Sequence, residues 1–388
     1  MKIRSLDIFA LAVPLRKPFR TVDLARTSSD NVVVRAELDD GSVGFGESLP
    51  RPYVTGETVD SCFDYLSSLS DELARWNLPD FASVVETLWD LSENALDAPP
   101  SFAARCALEL ALLDAAMRRF GRSFHDIFSV LPDLRALHCP RSVVRYGVVA
   151  SLDDPRRAWR TALKYRLYRF KQVKVKVSDD PRADAAALGT FRRFLGKSVA
   201  IRVDANGAWS LDEAVDRMNR LPAFGVVSVE QPLPRSDSAR LAELRARVDI
   251  PVVLDESLVS RRDAMLAIDG RWGDIFNLRL SKCGGFLACL RLADLARRAG
   301  LACQLGCHPG ETAILSAAGR HFACSVGPLT ALEGSYDRHV LAANVIDGDI
   351  TFGLGGKAPC LSGPGLGVSV NPQKLEALTA RRLTLAIS

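Results

Sequence analysis

The sequence lacks the features that would assign it to a membrane, a zinc domain or a nucleic-acid complex. It has no uncharged apolar run of about 18 residues, the length that a membrane-spanning helix needs. Its nine cysteines are irregularly spaced without a Cys-x-x-Cys pair, which excludes the common zinc patterns and leads us to expect free thiols. The net charge of +4 over 388 residues is too small to predict binding to nucleic acid.

The amino terminus also lacks an apolar segment. Lys2, Arg4 and Asp7 interrupt it, so it has no apolar core for a secretory signal, and the cytoplasm is the expected location. A basic run between 156 and 171 carries interleaved aromatic residues, but this pattern favours a solvated outer helix over a nucleic-acid surface. The small positive charge suits an anionic small-molecule ligand.

The length and periodicity of the chain are those of an α/β protein. The chain exceeds a minimal (β/α)8 barrel by more than about 100 residues. Strand-like alternation followed by helical spacing predicts an N-terminal α+β capping domain over 1–135. Apolar runs that alternate with amphipathic segments predict a (β/α) barrel of modified TIM type over 136–335. The turn-rich remainder, 336–388, is expected to fold back on the capping domain.

Eight short apolar runs, rich in valine and isoleucine, are the predicted barrel strands. They lie near 143–149, 172–177, 200–204, 226–230, 251–255, 274–278, 301–306 and 329–333.

A series of charged residues recurs at the spacing of one β/α unit. Lys176, Asp204, Glu230, Asp255 and Lys282 follow one another at intervals of 25 to 28 residues. Each falls at or just beyond the C-terminal end of a predicted strand, where barrel enzymes hold their chemistry. The series therefore predicts a single site that takes one side chain from each of several repeats.

The three acids of this series have the chemistry of a metal site. Hard divalent cations prefer carboxylate oxygens, so Asp204, Glu230 and Asp255 predict a Mg²⁺ site. Each acid alone could instead cap a helix or pair with a lysine, but three in register favour the metal. Asn206 and Glu256 are expected to support these ligands, or to serve as turn residues.

The lysines are candidates for acid/base chemistry. A strand alternates its faces, so Lys174 and Lys176 point to one side while the valines around them point to the other. Burial and the neighbouring positive charge disfavour protonation, which suits Lys176 to the role of a base. Lys282 comes from a strand nearly opposite. Lysines at strand ends can also simply extend into solvent.

These residues together resemble the enolase superfamily, in the branch of muconate cycloisomerases, dipeptide epimerases and o-succinylbenzoate synthases. The likeness extends over most of the chain. The matching segments are Val173–Val177, Asp204-Ala205-Asn206 with Trp209, Glu230-Gln231-Pro232, Leu254-Asp255-Glu256-Ser257, Asn277 through Gly285, Gly44-Phe45-Gly46-Glu47, and Arg51 through Glu57.

The resemblance implies the cofactor and the catalytic pair. It implies Mg²⁺, with Mn²⁺ as the alternative cation, on the three acids. It also implies that Lys176 and Lys282 are the acid/base pair and that Lys174 lies near the substrate carboxylate. A homo-oligomer is consistent with this family.

The resemblance also implies which loops contact the substrate. Residues from the capping domain would lie over the barrel mouth, namely Phe19, Arg20, Thr21 and Tyr53. The sequence departs from many relatives after strand seven, where His308 would either enter the pocket or be a solvated or locally hydrogen-bonded loop side chain. At strand eight only Glu333 matches the pair of aspartates with which dipeptide epimerases hold a substrate ammonium. A dipeptide with a free amine is therefore disfavoured, although Glu333 alone could still hold a cation.

The expected reaction is Mg²⁺-dependent removal of a proton next to a carboxylate, through an enediolate. It would isomerise a small carboxylate or an acyl amino acid, as a cycloisomerase or as a racemase or epimerase. One alternative is a lyase of the o-succinylbenzoate synthase type, which would expel water. The other is a non-catalytic barrel that acts as a binding protein.

Overall fold

The structure, a computed structural model, describes residues 1–20, 25–93, 101–151 and 157–387. Its strands are β1 Ile3–Arg20, β2 Ala25–Leu38, β3 Val43–Ser48, β4 Val143–Arg145, β5 Val148–Ser151, β6 Gln172–Lys176, β7 Ala200–Asp204, β8 Val226–Glu230, β9 Val252–Leu254, β10 Ile275–Leu278, β11 Ala302–Leu305, β12 Lys357–Pro359 and β13 Thr379–Ala386.

The α-helices are interleaved with these strands. They are α1 Pro52–Thr55, α2 Val59–Ser68, α3 Ser70–Ala74, α4 Phe81–Glu93, α5 Phe102–Phe120, α6 Ile127–Val130, α7 Ala158–Leu167, α8 Pro181–Leu195, α9 Leu211–Arg220, α10 Leu241–Arg245, α11 Arg261–Asp269, α12 Leu280–Cys283, α13 Phe286–Arg298, α14 Ala313–Ser325, α15 Asp337–Val340 and α16 Pro372–Leu378. No helix in the described ranges is long and apolar enough to cross a membrane.

The N-terminal part is an antiparallel sheet covered by helices. Its strand order is β13-β1-β2-β3, so the last strand of the chain pairs with the first. The buried helix α5 packs on β3, where Gly44 and Gly46 allow close approach. A β-carbon at Gly46 would overlap the carbonyl oxygen of Ala107, which explains why this strand needs glycine.

The central part is a parallel sheet in the order β11-β10-β9-β8-β7-β6-β5. Parallel strands joined by helices bury both faces, and the apolar residues of these strands are almost all buried. Because every strand runs the same way, all of the C-terminal ends lie at one rim. The (β/α)-barrel class with a capping domain is confirmed. The domain boundaries at 135 and 335 stay a prediction.

Two of the predicted barrel strands were placed wrongly. Residues 143–145 form β4, which pairs antiparallel with β12, and the barrel strand is 148–151. The two valine pairs, Val143-Val144 and Val148-Val149, conceal this exchange of partners around Gly147. Segment 329–333 forms only an isolated bridge from Leu332 to Leu305, although Gly147 N–H donates to Leu332 O at 2.8 Å and closes the ring. Pro328 and Gly334 flank this segment, and such residues shorten strands.

The expectation of free thiols was wrong for two cysteines. Cys324 in α14 forms a disulfide with Cys360. These residues are 36 positions apart in sequence, and only the packing of the C-terminal segment beside α14 brings them together. The remaining seven cysteines are free.

The sheet domain is fastened to the loops at the barrel rim by buried polar contacts. Glu47 in β3 accepts hydrogen bonds from the Thr312 N–H at 2.9 Å and the Leu315 N–H at 2.9 Å, at the start of α14. The Leu49 N–H donates to Ser281 Oγ at 2.8 Å, next to Lys282. The N-terminal domain therefore positions two loops of the rim.

Glu109 in α5 makes the third of these contacts, and its ionisation makes the contact depend on pH. Its Oε1 accepts the N–H groups of Phe286 and Leu287 at 2.5 and 3.1 Å, at the start of α13. Burial raises the pKa of Glu109 to about 8, against an ordinary value of 4.5, although these two hydrogen bonds oppose the shift. The neutral form of Glu109 therefore stabilises the folded protein fully below about pH 4.5, and this stabilisation is lost as the pH rises through about 8.

We predict that Glu109→Gln, which keeps the acceptor without the charge, is less sensitive to pH than the wild type. Its free energy of unfolding relative to the wild type should rise across this window by up to about 1.4 kcal/mol per pH unit. Denaturant unfolding between pH 5 and 9 measures this difference. The control is Glu86→Gln on the exposed face of α4, which should leave the pH profile unchanged. A profile for Glu109→Gln that parallels the wild type would contradict the prediction.

Candidate active site

Three carboxylates form a row at the rim of the parallel sheet. Asp204 ends β7 and pairs in register with Glu230, which ends β8, while Asp255 follows β9 directly. All three are buried, each with 1% of its surface exposed. Parallel neighbouring strands that end together bring these acids side by side, as the sequence spacing predicted.

Lys174 in β6 is the main positive charge beside this row. Its Nζ lies 3.0 Å from Glu230 Oε1, 3.3 Å from Asp204 Oδ2 and 2.8 Å from Glu333 Oε2. Burial disfavours its charge, but the carboxylates of Glu230, Glu333 and Asp204 outweigh burial and raise the pKa of Lys174 well above its ordinary value. The positive charge of Lys174, which was expected to act on Lys176, is therefore balanced by three acids.

Lys176 lies at one end of the row and is accessible. Its Nζ donates to Asn206 Oδ1 at 3.1 Å and lies 4.0 Å from Asp204 Oδ2. A third of the side chain is exposed. Asn206 has a left-handed backbone, with φ of 46°, and its N–H donates to Asp204 Oδ1 at 3.0 Å. Asn206 thus joins the base candidate to the first acid.

Lys282 lies at the other end of the row and is fully buried. It belongs to α12, and its Nζ donates to Asp255 Oδ1, to Asp255 O and to Asn277 O, each at 2.8 Å. In strand order, Lys176 approaches from the β6 side and Lys282 from beyond β10. The two lysines therefore stand at opposite ends of the three carboxylates.

Arg279 forms ion pairs with two of these carboxylates, and the sequence analysis predicted no role for it. Its guanidinium forms an ion pair with the Asp255 carboxylate and lies 3.5 Å from Glu230 Oε1. Burial alone would raise the pKa of Asp255, but Arg279 and Lys282 together hold it well below its usual range. Its position at the end of an apolar strand, three residues before Lys282, could have identified Arg279 in the sequence.

Other inward-facing residues in the strands were also missed. Asn277 Nδ2 donates to Asp255 Oδ1 at 3.0 Å, and Gln304 Nε2 donates to Glu230 Oε2 at 2.9 Å. Arg202 Nη1 donates to Gln304 Oε1 at 3.2 Å. Asn277 and Gln304 are each a single polar residue inside an apolar parallel strand. Arg202 lies two residues before Asp204, so the two-residue alternation of a strand could have identified it.

The turn after β8 is held by its own hydrogen bonds. Gln231 has a left-handed backbone with φ of 38°. Its Oε1 accepts from the N–H groups of Asp255 and Ser257 at 3.0 and 3.1 Å, and its Nε2 donates to Ser257 Oγ at 2.7 Å. These bonds lock the backbone that carries Asp255, next to Glu256. Burial and the nearby Asp255 raise the pKa of Glu256 to about 7.

Glu333 is neutralised by two cations. Besides Lys174, it is paired with Arg202, whose Nη2 lies 2.9 Å from Glu333 Oε1. Burial opposes its ionisation, but Lys174 and Arg202 prevail and lower the pKa of Glu333 to about 2. Glu333 is thus ionised, and its charge is already shared between two partners.

His308 follows β11 and is buried, with 3% of its surface exposed. Neither ring nitrogen has a hydrogen-bond partner within the described part of the chain. Burial, followed by the charges of Arg279 and Arg51, lowers the pKa of His308 well below its ordinary value. The ring is therefore neutral near pH 7 and offers one donor and one acceptor.

The predicted capping-domain contacts are only partly described. Tyr53 lies in α1 and is 59% exposed. Phe19 and Arg20 end β1, but the structure does not describe their side chains. Thr21 lies outside the described residues.

The row of acids suits a divalent cation in its chemistry. As it stands, no group of three or more histidine, cysteine, aspartate or glutamate side chains in the described ranges is arranged to hold one. Lys174 and Arg279 lie among these carboxylates. Asp204 Oδ2 is buried without a hydrogen-bond partner among the described residues. The three acids offer carboxylate oxygens, which are the ligands that a hard divalent cation prefers.

Two family models match the chain. The Enolase C-terminal domain-like model covers residues 157–374, and the model for the Mandelate racemase / muconate lactonizing enzyme, N-terminal domain, covers residues 3–128. Together they span both parts of the fold.

Named relatives match over nearly the whole length. An L-Ala-D/L-Glu epimerase from Bacillus subtilis is 29% identical, over 95% of this chain and 97% of its own. The structure of N-succinyl Arg/Lys racemase from Bacillus cereus superposes with a TM-score of 0.86 at 25% identity, covering 99% of this chain and 100% of that one.

A second structure matches in fold. A dipeptide epimerase from Cytophaga hutchinsonii, solved with Mg and the dipeptide D-Ala-L-Val, superposes with a TM-score of 0.84 at 24% identity, covering 99% of this chain and 100% of that one. Because the two family models together match most of the chain, it belongs to the enolase superfamily, in the branch of mandelate racemase and muconate lactonizing enzyme.

Proposed function

We propose that this protein is a metal-dependent racemase or epimerase that moves the proton next to a substrate carboxylate. The observation that carries this proposal is the placement of Lys176 and Lys282 at opposite ends of one row of carboxylates. Inversion at carbon requires a proton to leave on one side and return on the other. Two amines on either side of a bound substrate meet that requirement.

We propose Asp204, Glu230 and Asp255 as the ligands of the cation, which we take to be Mg²⁺, with Mn²⁺ as the alternative. When bound, the cation would stabilise the negative charge that develops on the substrate carboxylate. Asn277 and Gln304, which donate hydrogen bonds to Asp255 and Glu230, would keep the carboxylates oriented.

The two lysines would divide the proton transfer. Lys176 is partly exposed and held by Asn206, so it can reach a substrate that enters from the rim. Lys282 is buried and bound to three oxygens, so its Nζ is held in one position. Lys174 would contribute positive charge near the substrate carboxylate while holding Glu230 and Glu333. Glu256, next to Asp255, would lie behind the ligands.

The substrate class follows from the charge of Glu333. An ammonium on the substrate would have to compete with Lys174 and Arg202 for this carboxylate. We therefore propose an amino acid with an acylated amine, which carries no such charge. The neutral His308 would offer a hydrogen bond to the uncharged acyl part, and Phe19, Arg20, Thr21 and Tyr53 would contact the distal end.

We also propose a cytoplasmic location and a homo-oligomer. Seven free cysteines support a reducing compartment, although the Cys324–Cys360 disulfide is unusual there.

We predict that Lys176→Ala abolishes exchange of the α-proton. Loss of a general base should slow exchange by about 10²- to 10⁴-fold. Proton NMR in D₂O, with an N-succinyl amino acid and Mg²⁺, measures deuterium uptake and inversion together. Lys171→Ala, which removes an exposed lysine just before β6, is the matched control. Retained exchange in Lys176→Ala would remove this lysine from the mechanism, and net loss of water in the wild type would indicate the lyase.

We predict that Asp204→Asn weakens Mg²⁺ binding at least about tenfold, because an amide oxygen lacks the charge of a carboxylate. Titration calorimetry measures the affinity without any substrate. Asp212→Asn, at an aspartate whose side chain is 89% exposed in the helix after β7, is the control. Equal Mg²⁺ affinity in the wild type and Asp204→Asn would rule out Asp204 as a ligand.

We predict that an acylated amine is preferred over a free one. The same amino acid is supplied as its N-succinyl derivative and as the C-terminal residue of an alanyl dipeptide, and kcat/KM for α-proton exchange is compared. The N-succinyl derivative should react faster, because Glu333 does not need to leave its two cations. Faster exchange with the dipeptide would overturn the assignment of substrate class.

A further inference from the structure

A second cavity lies away from the row of carboxylates, between the two parts of the fold. Its empty space, including its opening, is about 440 Å³. Helices α4 and α5 border it on one side, and α11 and α13 on the other. The residues that matter for its chemistry are Arg105, Arg261, Arg291, Ser92, Cys283 and Gly284.

Two of its arginines already share one acid. Glu93 lies 3.0 Å from Arg261 Nη1 and 3.2 Å from Arg291 Nη1. Arg291 also donates to Ser92 Oγ at 2.8 Å and stacks on the Trp89 ring at 3.6 Å. These contacts fix both guanidinium groups in place, and Asp90 also acts on Arg291 at longer range.

Arg105 has no such partner. It is 7% exposed, and its Nε donates to the Tyr65 hydroxyl at 2.9 Å. Among the residues that the structure describes, its buried Nη1 has no hydrogen-bond partner. Glu57 is the nearby acid that acts on it only at longer range. A buried guanidinium with an unsatisfied N–H is costly unless something else binds there.

We propose that this cavity binds a small oxyanion, such as inorganic phosphate, between Arg105, Arg261 and Arg291. The forked N–H donors of the three guanidinium groups match the oxygens of such an anion, and the unpartnered Nη1 of Arg105 leaves a donor for it.

The position of the cavity gives the bound anion a structural effect. Cys283 and Gly284 line it and follow Lys282 directly. An anion here would join Arg105 of the N-terminal domain to Arg261 and Arg291 of the barrel, and it would stabilise the contact behind the helix that carries Lys282. This inference is independent of the proposed reaction.

The test measures binding of inorganic phosphate to the full-length protein. Phosphate should raise the melting temperature above that in sodium chloride of equal ionic strength, and calorimetry should give its affinity. We expect Arg105→Gln to weaken phosphate binding at least about tenfold. Arg262→Gln, which removes an equal charge from the exposed side of α11, should bind like the wild type. Arg105→Lys, which keeps the charge, should bind with intermediate affinity.

Each outcome decides the proposal. Loss of binding in Arg105→Gln alone, with circular dichroism matching that of the wild type, supports the site. Phosphate that binds equally to Arg105→Gln and the wild type must bind elsewhere, for example among the lysines of the rim, and this overturns the proposal. No stabilisation of the wild type beyond that in chloride overturns it too.

Discussion

The balance of buried charge at the barrel rim is the constraint on which the rest of the site depends. Asp204, Glu230 and Asp255 are withdrawn from water at the ends of neighbouring strands, and isolated buried carboxylates would be very unfavourable. Lys174 and Arg279 supply the counter-charges within a few ångströms. The proposed cation and a substrate carboxylate would each have to fit into this balance of charges.

The N-terminal sheet matters to the site because it holds the loops of the rim. Glu47 is bound to the start of α14, and Glu109 to the start of α13. Leu49 is bound to Ser281, beside Lys282. A shift of the sheet would therefore move the loops that carry Lys282 and His308, so the two parts of the fold act on the substrate pocket together.

Sequence reasoning worked where a pattern is local and repeated. The spacing of Lys176, Asp204 and Glu230 follows from the length of one β/α unit, and strand alternation puts Lys174 on the same side as Lys176. It failed where partners are distant. Segment 143–145 pairs with β12, more than two hundred residues later, and Cys324 meets Cys360 through the packing of the C-terminal segment. No periodicity records such contacts.

The sequence by itself determined the fold class, the order of the repeats and the residues that reach the rim, because these follow from hydrophobic periodicity and strand polarity. Only the tertiary structure decided how their charges are shared. It paired Lys174 with three acids, placed Arg279 against Asp255 and neutralised Glu333 with Arg202. The reason is physical: a charge in a low-dielectric interior responds to every neighbour within a few ångströms, and those neighbours come from separate strands.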